Sequence, residues 1–177
     1  MGLHWVGGSR SSWDGESLQS HLINVNDVWN SDMVVAAPNA TFGLPEALRG
    51  IFASAGGPPR LVRNVGLPIA SEMALTGKSI TATRAKELNL VNRISSSQET
   101  VVDEALKLAN EIAYISPDAA IVTRAALKES WEQGSVERAT QLTIERYNHP
   151  LQSGENALEG LRAFAEKRKP IWKPSKL

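Results

Sequence analysis

From position 31 onward the apolar residues fall into short blocks, each closed by proline, glycine or asparagine. Residues 33–37, MVVAA, form a continuous apolar run ended by Pro38-Asn39, the pattern of a strand buried on both faces. ATFG at 40–43 predicts a second short strand, with Gly43 permitting a turn or a close backbone approach. Pro45 suits the first position of a helical turn carrying Glu46, Ala47 and Leu48, which Gly50 and the GGPP stretch at 56–59 interrupt. Short helices are expected over 59–64, 67–75 and 83–88, the last ending near Asn89, a residue tolerant of left-handed cap geometry. The alternation in LVNRI at 90–94 predicts a strand.

The final third changes to a helical period. Val101, Ala105, Leu108 and Ile112 recur at helical spacing and predict one buried face over 99–114. Ser116-Pro117-Asp118 predicts a helix start. The serine oxygen can accept a free amide, proline loses nothing at the first position, and aspartate suits the positive helix end. That helix is expected to reach Trp131. Gly134-Ser135 opens the next, with Val136, Ala139, Thr143 and Tyr147 along one side. The last is expected to start at Ser153, with Ala157, Leu161, Phe164 and Ala165 as its apolar stripe. Residues 1–30 follow neither period, and they lack the positive start and long apolar stretch of a secretory signal. The organisation expected is an irregular segment over 1–30, a partial α/β core over 31–115 and a helical region over 116–177.

Composition narrows the partners. The 177 residues suit one domain, and 42% hydrophobic content can supply a core. Nineteen Lys and Arg balance 19 Asp and Glu. That zero net charge argues against electrostatic capture of nucleic acid. The absence of cysteine excludes disulfides, thiolate catalysis and cysteine-ligated zinc. His4, His21 and His149 stand far apart, so no metal site is expected. The longest apolar run, 33–37, is too short to cross a bilayer, and no membrane partner is expected.

Candidate chemistry centres on Glu46. Its neighbours Phe42, Leu44, Ala47 and Leu48 are apolar. Desolvation in such surroundings favours the protonated form of a carboxylate and suits it to proton transfer near neutral pH. The plainer alternative is a helix N-terminal glutamate facing water. Gly56 and Gly57 could receive a phosphate at a helix start, but no Lys-Ser/Thr ending follows, and close packing of a turn is the simpler role. Lys167-Arg168-Lys169, with Lys173 and Lys176, is either a solvated helix end or a ligand site. Phe164 and Lys167, three residues apart, could stack on a base and meet its phosphate. The terminal Ser175-Lys176-Leu177 reads as a peroxisomal address recognised by an import receptor through a free carboxylate. It follows Pro170 and Pro174, so an exposed tail and a peroxisomal location are expected.

Three longer stretches carry a family likeness: SDMVVAAPNATFGLPEALRGIFASAGGPPRLVRNVG, ASEMALTGKSITATRAKELNLVNRI and ALEGLRAFAEKRKP. Over about residues 31–170 the chain resembles the enoyl-CoA hydratase/isomerase (crotonase) superfamily, and with its ending the fungal peroxisomal type. The resemblance implies an α/β fold, a crotonase-like ββα spiral present as its C-terminal portion only, followed by a helical trimerisation region. It implies acyl-CoA thioester substrates from fatty-acid or secondary-metabolite acyl chains. Coenzyme A then belongs to the substrate, with no separate cofactor, and the assembly is a homotrimer or a dimer of trimers. Glu46 falls on the family's general acid/base, which helps water add to a 2-enoyl bond or moves a proton along a 3-enoyl chain. Two backbone amides stabilise the thioester enolate in this family. Phe164 and Lys167 match positions that approach the CoA adenine and phosphate. Family members are longer, and the glycine-rich segment bearing a second glutamate and one of those amides has no counterpart; Glu16 lacks that context. A truncated or aberrant copy with weak or absent activity is therefore expected. The alternative is an inactive paralogue that at most associates with full-length members.

Overall fold

The computed structural model describes residues 3–6, 22–24, 28 and 31–177. In it residues 33–36 of the apolar run form a strand, and Val34, Val35, Ala36 and the following Ala37 are all buried. The run is continuous because neighbours cover both faces, as they do for parallel strands. In chain order the strands are β1 (Leu3–Val6), β2 (Leu22–Asn24), β3 (Met33–Ala36), β4 (Thr41–Gly43), β5 (Ile80–Thr81) and β6 (Arg93–Ile94). They form two three-stranded sheets, ordered β1-β3-β6 and β2-β4-β5. β3 lies parallel beside β1 with Leu3 opposite Met33, and β4 lies parallel beside β2 with Leu22 opposite Thr41. The first two passes of the chain thus each give one strand to each sheet, the second stacked on the first, before β5 joins β4 antiparallel and β6 joins β3 parallel. That is the crotonase-like ββα spiral.

β1 and β2 lie inside the stretch 1–30, where periodicity gives no strand. Their partners sit far along the chain, and short parallel strands carry no alternating signal. The rest of residues 1–30, Glu16 included, lies outside the described residues.

The helices are α1 (Gly57–Val65), α2 (Leu67–Thr76), α3 (Ala82–Glu87), α4 (Val101–Ala113), α5 (Pro117–Gln133), α6 (Val136–Gln152) and α7 (Glu155–Ala165). A 3-10 turn, Pro45–Arg49, follows β4. The chain divides into two compact units, Met1–Leu108 and Ala109–Leu177. In the first, Phe42 and Leu44 share one buried cluster with Leu61 of α1, Met73 of α2 and Ala85 of α3. The strand expected over 90–94 shrinks to Arg93–Ile94. Asn92 replaces part of the ladder: Val34 N–H donates to Asn92 Oδ1 at 2.7 Å, and Asn92 N–H donates to the Val34 carbonyl at 2.9 Å. Asn89 takes the left-handed conformation expected of it, with φ 61°.

In the second unit the capping chemistry sets the helix starts. Ser116 Oγ accepts from Ala119 N–H at 3.4 Å, and Ser135 Oγ accepts from Arg138 N–H at 3.2 Å. The last helix starts at Glu155, not at Ser153. Ser153 ends α6 instead, with its N–H and its hydroxyl both donating to the His149 carbonyl. Pro150 lies inside α6 two residues before its end, so the helical bond its missing N–H removes belongs to the last turn. The apolar stripe expected on α7 is turned outward at two of its positions: Leu161 is 70% exposed and Phe164 87%. The covered face carries Asn156 and Ala163, with Gly160 between them close against Trp172, whose ring would lie 3.3 Å from an added Cβ. Among the described residues no helix is long and apolar enough to cross a membrane, and no acidic, histidine or cysteine cluster could hold a metal ion.

Candidate active site

β4 delivers the chain to Leu44, and Pro45 opens the 3-10 turn with its fixed φ and no amide to satisfy. Glu46 comes next and is only 8% exposed, although Ala47, Leu48 and Arg49 after it face outward. The burial decides between the two sequence readings: Glu46 is an enclosed carboxylate, not a water-facing helix glutamate. The turn is closed behind it by Gly50 at φ 68°, whose N–H donates to the Ala47 carbonyl, while Ile51 N–H donates to the Glu46 carbonyl at 3.1 Å. An added Cβ on Gly50 would meet nothing within 4 Å, so this glycine serves the backbone angle alone.

A second glycine, invisible to the sequence reading, bears on the same turn. Gly77 closes α2 at φ 63°, and an added Cβ would fall 2.5 Å from Leu48 Cγ. The end of α2 therefore closes onto the segment that carries Glu46. The motif ALTG hints at a helix end but not at which side chain lies over it.

The GGPP loop is a packed turn. Gly56 at φ 85° caps α1, and Arg60 Nη1 donates to the Ala55 carbonyl at 2.9 Å across it. An added Cβ on Gly56 would lie 2.2 Å from that Nη1. The place proposed for a phosphate is thus filled by the folded-back guanidinium.

In the second unit, most of the terminal basic run is engaged. Arg168 grips Glu159 with two bonds, 2.6 and 3.0 Å, and its Nε donates to Glu166 at 2.6 Å. The Arg168 guanidinium, followed by the Ile171 amide, holds the Glu159 carboxyl down to about 2. Lys173 and Lys176 both reach Glu155, the latter at 2.5 Å, and Lys173 then Lys176 hold that carboxyl to about 2. Lys167 and Lys169 make no ion pair among the described residues. Lys167 lies past the end of α7 at φ 53°, its N–H donating to the Phe164 carbonyl at 3.2 Å. Phe164 and Lys167 are therefore neighbours at a helix terminus, not a pair along one helical face.

Sequence reasoning missed a buried polar node. Asn156 Nδ2 donates to Asp118 Oδ2 at 2.8 Å and to the Lys173 carbonyl at 3.0 Å, and its Oδ1 accepts from Lys173 N–H at 2.8 Å. Asp118 sits in the first turn of α5, where the helix dipole favours its charge. No periodicity marks a lone asparagine as a core residue. The one available signal was Pro170 and Pro174 bracketing Trp172, an aromatic residue with reason to pack.

Residues 28–175 match the family model described as enoyl-CoA hydratase/isomerase. The chain belongs to that family. It is 47% identical over 150 residues to a mevalonyl-coenzyme A hydratase of Aspergillus fumigatus, covering 85% of this chain and 55% of that protein. It is 43% identical over 143 residues to a 2,3-dehydroadipyl-CoA hydratase of Escherichia coli, covering 80% and 54%. Among solved structures, an enoyl-CoA hydratase from Mycobacterium tuberculosis superposes with a TM-score of 0.79 at 34% identity, covering 87% of this chain and 61% of that one. The chain spans about half the length of the curated relatives it matches.

Proposed function

We propose that this chain acts on an acyl-CoA thioester by proton transfer through Glu46, as an enoyl-CoA hydratase/isomerase-type enzyme. The observation that carries the reading is the burial of Glu46 in a turn whose one other polar residue, Arg49, is exposed. In hydration, the carboxylate takes a proton from water as the water oxygen bonds to C3 of a 2-enoyl thioester. The proton is then delivered to C2, and the reverse sequence expels water. In isomerisation, the same group removes a C2 proton from a 3-enoyl chain and returns it to C4. Hydration is favoured because the relatives at 47% and 43% identity carry hydratase names. A mevalonyl-type acyl group is the first substrate to try, after the relative from Aspergillus fumigatus.

Phe164 and the unpaired Lys167 are the groups proposed to meet the CoA adenine and phosphate. The outward Leu161 and Phe164 suit contact with a further subunit, which supports a trimeric assembly. They equally suit a second reading, in which this chain is an inactive partner of longer family members. Ser175-Lys176-Leu177 is proposed to direct the protein to the peroxisome, as in a fungal peroxisomal member of the family. Assay of the purified chain with mevalonyl-CoA, 2-enoyl-CoAs and 3-enoyl-CoAs beside Glu46→Gln tests the first reading; equal rates for the two proteins remove Glu46 from the chemistry. Co-purification with a full-length family member, without turnover by the short chain, would establish the second.

A further inference from the structure

Residues 170–177 do not leave the helical unit freely. Ile171 N–H donates to Glu159 Oε1 at 2.8 Å, and Trp172 Nε1 donates to the Tyr114 carbonyl at 2.8 Å with its ring against Gly160. Lys173 is bonded through both backbone groups to the buried Asn156 side chain. Lys173 and Lys176 both pair with Glu155. The attachment has two zones. Up to Lys173 the anchors are backbone bonds to a buried amide and a packed indole. Beyond Lys173, the tail is held to the body by the Lys176–Glu155 ion pair, which is exposed and worth at most roughly fivefold in an equilibrium. The four residues after Lys173 can reach no more than about 14 Å from it when fully extended.

We propose that this tail is a closed strap whose release is coupled to recognition of Ser175-Lys176-Leu177. The partner is a receptor that captures a terminal carboxylate together with the lysine before it. Such a receptor must take Lys176 from Glu155, and a groove that encloses more than four residues must also lift Lys173 off Asn156. Glu155 therefore competes with the receptor for the same ammonium group. The inference rests on the peroxisomal-address reading. It adds that the intact chain presents the address at reduced affinity, in proportion to the fraction of time the tail is open.

The test is binding of a soluble receptor domain specific for C-terminal Ser-Lys-Leu, measured by competition, to a synthetic peptide of residues 168–177, to the whole chain and to Glu155→Gln. The peptide should bind about tenfold tighter than the chain. Glu155→Gln should recover about two- to fivefold of that gap and weaken its salt dependence. Hydrogen exchange gives a second readout: the Ile171 and Lys173 amides should exchange slowly in the free chain and quickly once the receptor is bound. Equal affinity for peptide and chain, unchanged by Glu155→Gln, overturns the strap. A peptide that does not bind overturns the address reading and this proposal with it, and slow exchange at Ile171 and Lys173 would then show the strap to be structural only.

Discussion

Asn156 and Lys173 pair as two facing strand residues would, the side-chain amide of one taking both backbone groups of the other at 2.8 and 3.0 Å. The remaining amide hydrogen goes to Asp118, whose Oδ1 already lies buried without a hydrogen bond among the described residues. Asn156→Ala would strand a carboxylate and two backbone groups together. The expected loss is about 2–4 kcal/mol, since each buried polar group left unsatisfied costs ~1–3 kcal/mol. Urea unfolding measures it, and a loss below about 1 kcal/mol, within the range of an ordinary surface change, would show that the node carries little.

Two glycines near Glu46 should respond differently to alanine. Gly50→Ala meets only the left-handed backbone angle, an expected cost of about 1 kcal/mol. Gly77→Ala meets the same angle and also displaces Leu48, adding about 1 kcal/mol or more. Combining Gly77→Ala with Leu48→Ala should remove the second contribution. If the double variant is no better than the sum of the singles, Leu48 does not lie over Gly77 in solution.

Acid should weaken the helical unit through Glu155 and Glu159. Both carboxyls lie at about 2 in the fold, against 4.5 for the unperturbed group. A depressed folded value means the unfolded chain binds protons first as pH falls. The stabilisation is therefore complete above about 4.5 and declines between 4.5 and about 2. Glu159→Gln should flatten that decline. Added salt should flatten the Glu155 part more, because its lysine pairs are the more exposed. Urea midpoints across this pH range at two ionic strengths give the comparison.

The outward stripe on α7 should report assembly. Leu161→Asp changes a residue that is 70% exposed in the single chain, so the fold should tolerate it. Sedimentation should show a smaller species than wild type if a neighbouring subunit covers this face, and an unchanged species if none does.

What the sequence made legible was local. Pro38-Asn39, Ser116-Pro117-Asp118 and Gly134-Ser135 act on their nearest neighbours, and the elements they bound fall close to their expected places. Glu46 stood out for the same reason, between a proline and apolar residues on either side. The rest depended on distant partners. β1 and β2 need β3 and β4 beside them before they are strands at all. The spacing of Leu161 and Phe164 marks an apolar face, but spacing does not say whether the chain's own core or another molecule covers it. Asn156 is a core residue because Lys173 and Asp118 come to it, and no window of sequence holds all three.

The most direct measurement is turnover of a 2-enoyl-CoA or mevalonyl-CoA by the purified chain and by Glu46→Gln, with folding checked by circular dichroism. Loss of a positioned general acid/base should lower kcat by about 10²–10⁴ while leaving CoA affinity little changed. Equal turnover by both proteins, or none by either in a correctly folded chain, would contradict a catalytic Glu46.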